Sequence, residues 1–184
     1  GLGVWADLLE TIAPRAVELI APGARIILDT GTTTLELARR LGAVEDLTIL
    51  TNDLEIALQL EQLRGAETVL LGGHLRKGFR CTVGASVVTE LGRVVADKVF
   101  LGANGLSPAR GATTPDLQQA EAKRAMVAAA NRRIVLCDHT KFGVEAFVRF
   151  ADLGQIETVI TDVIEEDYRT VLEERGVGLI VSEE

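Results

Sequence analysis

Cysteine and histidine are scarce in this chain, and their scarcity limits the chemistry that it can perform. Its 184 residues include two cysteines and two histidines. Cys81 and Cys137 lie far apart, which is typical of reduced thiols in the cytoplasm and not of a disulfide framework. Cys137 closes an apolar run, so we expect it to be a buried small side chain. Neither His74 nor His139 has a partner at metal-ligand spacing, so the sequence predicts neither a metal site nor a cofactor.

Basic residues and long apolar runs are also lacking. Lys and Arg number 19 against 27 Asp and Glu, which gives a net charge of −8. Duplex DNA repels a net-negative surface, and the densest basic group (Arg76, Lys77 and Arg80) is small, so we expect no direct nucleic-acid binding by these residues. No signal-peptide pattern or membrane-spanning run is apparent, which predicts a soluble, cytoplasmic domain without a membrane partner.

What the chain does contain is a regular alternation of short apolar segments with helical patterns. The segments are apolar at successive positions, which indicates burial on both faces. They predict an α/β fold with a mainly parallel open sheet and helices on both faces, in a single domain over 1–184. A first helix is predicted over 5–20, and residues 104–115, rich in Gly, Ser and Pro, are predicted to form a flexible loop. The predicted main strands cover residues 25–30, 47–51, 68–71, 98–103, 132–137, 158–161 and 177–181.

Polar, small and turn-forming residues follow these strands at their carboxyl ends. Ligands of open parallel sheets bind at that edge, so we expect one pocket rim built from several loops. The candidate ligand-binding residues, including one from a predicted helix, are Asp29, Thr30, Gly31, Thr32, Thr33, Thr51, Asn52, Gly72, Gly73, Gly102, Asn104, Gly105, Glu121, Asp138 and Lys141.

The most informative candidate is the turn over residues 29–34. An apolar strand there ends in Asp29, and Gly31 is followed by three threonines at the start of a helical pattern. Such a turn collects backbone N–H groups and hydroxyls and is typical of a phosphate or small-anion site. The alternative is helix capping, because Thr33 and Glu36 have the spacing of a capping box. Walker A and dinucleotide-binding patterns are absent, which disfavours a nucleotide ligand.

The other candidates also have structural alternatives. Asn52 is equally suited to cap a helix, and 72–73 is suited to a turn with positive φ. Asp138 and Lys141 would form a surface ion pair of little value, unless their position at a strand end makes Lys141 a phosphate partner. Glu121 is either solvated or aimed into the pocket.

In their order, these motifs resemble the C-terminal effector-sensing domain of the DeoR family of bacterial transcriptional regulators. The resemblance covers nearly the whole chain and is carried by the strings at 29–34, 50–53, 71–73, 83–84, 97–105, 113–114, 123–126, 138–143 and 159–162. It implies a fold shared with ribose-5-phosphate isomerase and the CoA transferases. It also implies a phosphorylated sugar or polyol as ligand, with the turn at 29–34 and Lys141 on its phosphate and Asn52, Asn104 and Asp138 on its hydroxyls.

The resemblance further implies an effect of the ligand on DNA binding. In the family a winged helix-turn-helix domain precedes the sensor, whereas this chain begins in the sensor's first helix. We therefore expect DNA contact only through a domain absent from this chain. We also expect a homo-oligomer, a dimer or tetramer, because palindromic operators are bound by two-fold assemblies.

Two other functions remain open from the sequence. A sugar-phosphate isomerase would need a carboxylate base, for which Asp138 or Glu121 could serve, and an electrophile such as Lys141. The related isomerases carry an acidic cluster in the loop that corresponds to 102–105, and no carboxylate stands there, which favours a non-catalytic sensor. A purely structural oligomerisation module would not account for the polar strand ends.

Overall fold

The computed structural model describes residues 2–184, with side chains from Glu10 onward. Three 3₁₀ turns, at Leu41–Ala43, His139–Lys141 and Leu153–Gln155, accompany the main elements. The helices and strands are α1 (Leu2–Val17), β1 (Arg25–Leu28), α2 (Thr32–Arg39), β2 (Leu47–Thr51), α3 (Leu54–Glu61), β3 (Ala66–Leu70), β4 (His74–Arg76), β5 (Cys81–Val83), α4 (Ala85–Leu91), β6 (Ala96–Gly102), β7 (Gly105–Ser107), β8 (Gly111–Thr114), α5 (Leu117–Ala129), β9 (Ala130–Leu136), β10 (Val148–Ala151), β11 (Thr158–Thr161), α6 (Glu166–Glu174) and β12 (Gly178–Val181).

Seven strands form one sheet in the order β12-β11-β9-β6-β1-β2-β3, and every pair of neighbours is parallel. Successive side chains of a strand point to opposite faces, which divides the apolar runs between two cores. Ile26 and Leu28 of β1 belong to the core that contains residues of α1, α2 and α3. Ile27 belongs to the core that contains residues of α4, α5 and α6. The predicted parallel α/β fold with both faces covered is confirmed.

The predicted loop over 104–115 is wrong. Residues in this segment form the hairpin β7–β8, and β10 pairs with β8 to complete a small antiparallel sheet. The hairpin packs through Leu106 and Ala112, both buried. Gly111 has a φ of +70°, and a Cβ at that position would lie 2.2 Å from the carbonyl oxygen of Ala151. The glycine is therefore required by the close approach of two strands, not by a mobile loop.

The parallel sheet brings the carboxyl ends of β1, β2, β6 and β9 to one edge. A second hairpin, β4–β5, rises beside this edge, and Asp53 bridges to Cys81 at its base. The first helix covers 2–17 and not 5–20. Among the described residues, no helix is long and apolar enough to cross a bilayer.

Candidate functional site

A cavity of about 600 Å³ opens at the carboxyl edge of the sheet. Its walls come from the turn after β1, the start of α2, the tip of the β4–β5 hairpin, the end of β6, the start of α5 and the 3₁₀ turn after β9. The structure brings eight of the fifteen predicted residues into its lining: Thr30, Gly31, Thr32, Thr33, Gly102, Asn104, Asp138 and Lys141.

The N-terminus of α2 faces this cavity without a side-chain cap. Its N-cap residue is Gly31, with φ of +146° and no side chain to bond the helix. The Thr34 hydroxyl donates to the Gly31 carbonyl oxygen at 3.0 Å and satisfies no N–H group. Thr33 lies inside the helix, and Glu36 pairs with Arg39, so the capping box that offered the alternative explanation is not formed. The N–H groups of the first turn therefore lack acceptors within the helix and are suited to an anion.

Asp29 does not line the cavity, but its contacts hold together three residues that do. Its carboxylate is fully buried and forms an ion pair with Lys123, which is 4% exposed. It also accepts hydrogen bonds from the backbone N–H groups of Thr30 at 2.9 Å and Gly102 at 3.1 Å. The Lys123 Nζ donates to the Gly102 carbonyl oxygen at 2.9 Å. This pair joins the ends of β1 and β6 to α5 and neutralises the carboxylate beside a prospective anion site.

The residue that caps α3 is Asp53, and the predicted cap at Asn52 is wrong by one position. Asp53 Oδ1 accepts from the Ile56 N–H at 2.8 Å, and Oδ2 accepts from the Thr30 hydroxyl at 2.6 Å. Asn52 is fully buried and donates through Nδ2 to the Thr82 carbonyl oxygen at 2.8 Å. Asn52 therefore connects the end of β2 to the β4–β5 hairpin. Asp53 connects the start of α3 to Thr30, which lines the cavity.

The 3₁₀ turn after β9 carries two predicted site residues. Asp138 Oδ1 accepts from the Thr140 N–H at 2.9 Å, which shapes the turn that presents Lys141 to the cavity. His139 bonds Asp162 through its backbone N–H and through Nδ1, each at 2.7 Å. Burial of Asp162 raises the pKa of its carboxyl group, but the hydrogen bonds from His139 prevail and hold that pKa below its ordinary value. The turn is thereby anchored to the end of β11.

Sequence reasoning missed the contribution of the β4–β5 hairpin. Its tip supplies Arg76, Phe79 and Arg80 to the cavity lining. The Arg76 guanidinium lies 3.5 Å from the centre of the Phe79 ring and 3.6 Å from Asp116 Oδ2, and Arg80 forms an ion pair with Glu55. The basic cluster was visible in the sequence, but only as a weak nucleic-acid signal.

The start of α5 was missed as well. Gln119 and Lys123 line the cavity from one face of the helix, four residues apart. That spacing in the predicted helix was the available signal. Glu121, which the sequence singled out instead, is exposed and pairs with Arg124 at 2.8 Å, in agreement with its solvated alternative.

The remaining predicted residues lie outside the lining, and some of them have a structural role instead. A Cβ on Gly73 would lie 2.8 Å from the Val83 carbonyl oxygen, so this glycine permits the hairpin to close. A Cβ on Gly105 would lie 2.2 Å from the Val144 carbonyl oxygen. The predicted residues outside the lining are Asp29, Thr51, Asn52, Gly72, Gly73, Gly105 and Glu121.

Neither buried thiol is activated. Burial raises the pKa of the Cys137 thiol to about 12 and also raises that of Cys81. Cys137 is 3% exposed, which confirms the predicted small buried side chain. Among the described residues, no group of three or more His, Cys, Asp or Glu side chains could hold a metal ion.

An open parallel sheet with a polar cavity at its carboxyl edge is the arrangement in which α/β domains of this architecture bind small ligands. The same fold occurs in ribose 5-phosphate isomerase A from Methanocaldococcus jannaschii, with a TM-score of 0.53 and 20% identity over 74% of this chain and 54% of that one. The eIF2B delta subunit from Chaetomium thermophilum matches with a TM-score of 0.55 and 19% identity over 97% of this chain and 57% of that one. At such low identity, these TM-scores show a shared isomerase-like fold and no more.

The family model for the DeoR C-terminal sensor domain matches residues 8–163, and the chain belongs to this family. The HTH-type transcriptional repressor GlcR of Bacillus subtilis is 37% identical over 174 residues, 94% of this chain and 67% of the relative. The HTH-type transcriptional regulator GlpR of Haloferax volcanii is 36% identical over 172 residues, 93% of this chain and 67% of the relative. The chain thus spans about two thirds of the length of these relatives and is similar to the sensor domain of DeoR-type transcriptional regulators.

Proposed function

We propose that this chain is the effector-binding domain of a transcriptional regulator of carbohydrate metabolism, and that its cavity binds a phosphorylated sugar or polyol. One observation carries the proposal: the uncapped N-terminus of α2 and Lys141 line the same cavity. Backbone N–H groups, threonine hydroxyls and an ammonium group together match the acceptor oxygens and the charge of a phosphate group.

We assign the hydroxyl groups of the ligand to Asn104 and Asp138, which also line the cavity. Asn104 Oδ1 accepts from the Thr114 hydroxyl at 3.1 Å, which directs the donor end of the amide to a ligand oxygen. Asp138 bonds Thr140 through Oδ1, and its Oδ2 accepts from a ligand hydroxyl. Asn52, which was expected to contact the ligand, is buried outside the lining and has no place in this arrangement.

The ligand acts on DNA binding through a part of the regulator that lies outside this chain. Its relatives are named as HTH-type regulators, and the net charge of −8 disfavours DNA contact by the sensor itself. The ligand shifts the regulator between two states by its difference in affinity for them. A cytoplasmic homo-oligomer would match a two-fold operator.

A thermal-shift screen with phosphorylated sugars and polyols tests this function. A ligand at about 100 times its Kd stabilises the folded state by about 2.7 kcal/mol, which raises the Tm by several degrees. Lys141→Ala removes the ammonium group and should lose most of this shift. Lys77→Ala is the matched control, because Lys77 is exposed and lies outside the lining. Absence of a shift with every phosphorylated compound would overturn the proposal.

Isomerase activity is the second candidate, because Asp138 and Lys141 place a carboxylate and an ammonium group in one cavity. The other candidate base, Glu121, lies outside the lining, and the segment 102–105 contains no carboxylate. We therefore expect no conversion of ribose 5-phosphate by the purified domain. Steady turnover that Asp138→Asn abolishes would replace the sensor function with an enzymatic one.

A further inference from the structure

Gln119 contains a buried polar atom that the unliganded protein leaves without a hydrogen bond. Among the side chains that the structure describes, five buried nitrogen or oxygen atoms have no hydrogen-bond partner. Four of them belong to residues outside the cavity lining, and the fifth is Oε1 of Gln119, which lines it. The Gln119 residue is 5% exposed. Buried amide oxygens are almost always paired in folded proteins. An unpaired oxygen in a residue that lines a cavity is therefore a candidate for a hydrogen bond with a ligand.

The rest of Gln119 is held in place. Its backbone N–H donates to Asp116 Oδ2 at 2.9 Å, which fixes the first turn of α5. Its Nε2 lies 3.6 Å from the Cys81 Sγ, within the distance of a weak hydrogen bond to sulfur. Cys81 in turn bridges to Asp53, which accepts from the Thr30 hydroxyl. The nitrogen of the amide is therefore directed to Cys81, which lies outside the cavity lining, and the oxygen is the end of the amide that has no partner.

The charges around Gln119 indicate what kind of group would pair with it. Lys123, one turn further along α5, is already paired with Asp29 and the Gly102 carbonyl oxygen. This side of the cavity thus offers an acceptor and little unpaired positive charge. A phosphate oxygen is itself an acceptor and cannot satisfy Oε1, whereas a hydroxyl group donates to it.

We infer that Gln119 is a specificity-determining residue that accepts a hydrogen bond from a hydroxyl group of the ligand through Oε1. The inference rests on the proposed function and deepens it, because it separates the recognition of the hydroxyl from that of the phosphate. A compound that lacks this hydroxyl leaves the amide oxygen unpaired and is rejected on that account.

Titration calorimetry on Gln119→Leu tests the assignment. The probes are glucose 6-phosphate, sorbitol 6-phosphate, ribose 5-phosphate and glycerol 3-phosphate, with inorganic phosphate as a probe that has no carbon-bound hydroxyl. We expect the tightest of the four to bind about tenfold more weakly, equivalent to about 1.4 kcal/mol, while the affinity for inorganic phosphate stays unchanged. Gln118→Leu is the matched control, because Gln118 is exposed on the same helix, and it should leave both affinities unchanged.

The unliganded stability separates a ligand contact from a structural role. Leucine replaces an unpaired buried amide oxygen with an apolar group, so the Tm of unliganded Gln119→Leu should be equal to or above that of the wild type. A purely structural glutamine would instead lower it. Gln119→Met, also apolar and of similar length, provides a second measurement if the leucine variant does not fold.

Monodeoxy analogues of the tightest compound complete the test. One of them should bind about tenfold more weakly to the wild type, and the same analogue should show no such loss with Gln119→Leu. Equal weakening of the phosphosugar and of inorganic phosphate, or unchanged binding of both, would overturn the inference while the proposed function stands. Failure of the wild type to bind any phosphorylated sugar or polyol of the thermal-shift screen would overturn both.

Discussion

At the residue scale, the buried pair of Asp29 and Lys123 holds the site together, although of the two only Lys123 lines the cavity. The sequence marked Asp29 as a ligand contact because it stands at a strand end. Its partner lies 94 positions away in the chain, on a helix whose orientation the sequence does not specify. A motif can therefore identify the right residue and still misassign what it touches, because the partner is set by packing of distant elements.

Lys123→Met should be strongly destabilising, because it leaves a buried carboxylate without its counter-charge. Loss of one partner of a buried ion pair costs about 3–5 kcal/mol, against at most about 1 kcal/mol for an exposed pair. Urea unfolding measures the difference, with Arg124→Met as the control, since Arg124 pairs with Glu121 at the surface of the same helix. A cost for Lys123→Met as small as that of the control would show that Asp29 finds water or another donor.

At the element scale, strands were easier to predict than the segments between them. Unbroken apolar runs such as 26–28 in β1 and 134–136 in β9 are typical of strands that are buried on both faces, so the sequence was sufficient to predict the parallel sheet. The strands β7, β8 and β10 have three or four residues and contain no unbroken run of apolar side chains, so they carry no such pattern. Helix starts were uncertain by one residue, as with Asn52 and Asp53, because adjacent polar residues satisfy the same capping preference.

Thr32→Asp should affect helix stability and ligand binding in opposite directions. A negative charge in the first turn of α2 interacts favourably with the helix dipole and stabilises the unliganded protein by about 0.3–1 kcal/mol. The same charge repels a phosphate group at that terminus, so binding of phosphorylated probes should weaken at least about tenfold. Thr32→Asn is the control, because asparagine has the shape of aspartate without its charge, and this variant should retain most of the affinity. The two quantities come from thermal unfolding and calorimetry, and tighter binding by the aspartate variant would exclude a phosphate at this helix.

At the scale of the whole molecule, the cavity is assembled from segments that span residues 30–141. The sequence indicated that strand ends would converge, since all carboxyl ends of a parallel sheet lie at one edge. It did not indicate that the tip of the β4–β5 hairpin would line the cavity at that edge. Arg76 and Phe79 reach the cavity because of how the hairpin packs, and no local pattern encodes this packing.

Hydrogen exchange should report binding at several separated segments at once. A phosphorylated ligand should slow exchange in the first turn of α2, in the 139–141 turn and in the segment 104–115. Helix α6, which contributes no lining residue, provides the internal reference. Mass spectrometry of peptides resolves these regions. Unchanged exchange over 104–115 would remove that segment from the response to the ligand.

The pairing of charges around the cavity bears on how quickly a ligand arrives. Arg76, Arg80 and Lys123 each have a carboxylate partner. The domain as a whole is also acidic, so an approaching dianion meets no strong attractive field at long range. A dianionic ligand would then associate without long-range electrostatic steering, so raising the ionic strength should not slow its association. The domain would then distinguish its ligand from the many other phosphorylated compounds of a cell by their dissociation rates, which depend on the contacts made in the cavity.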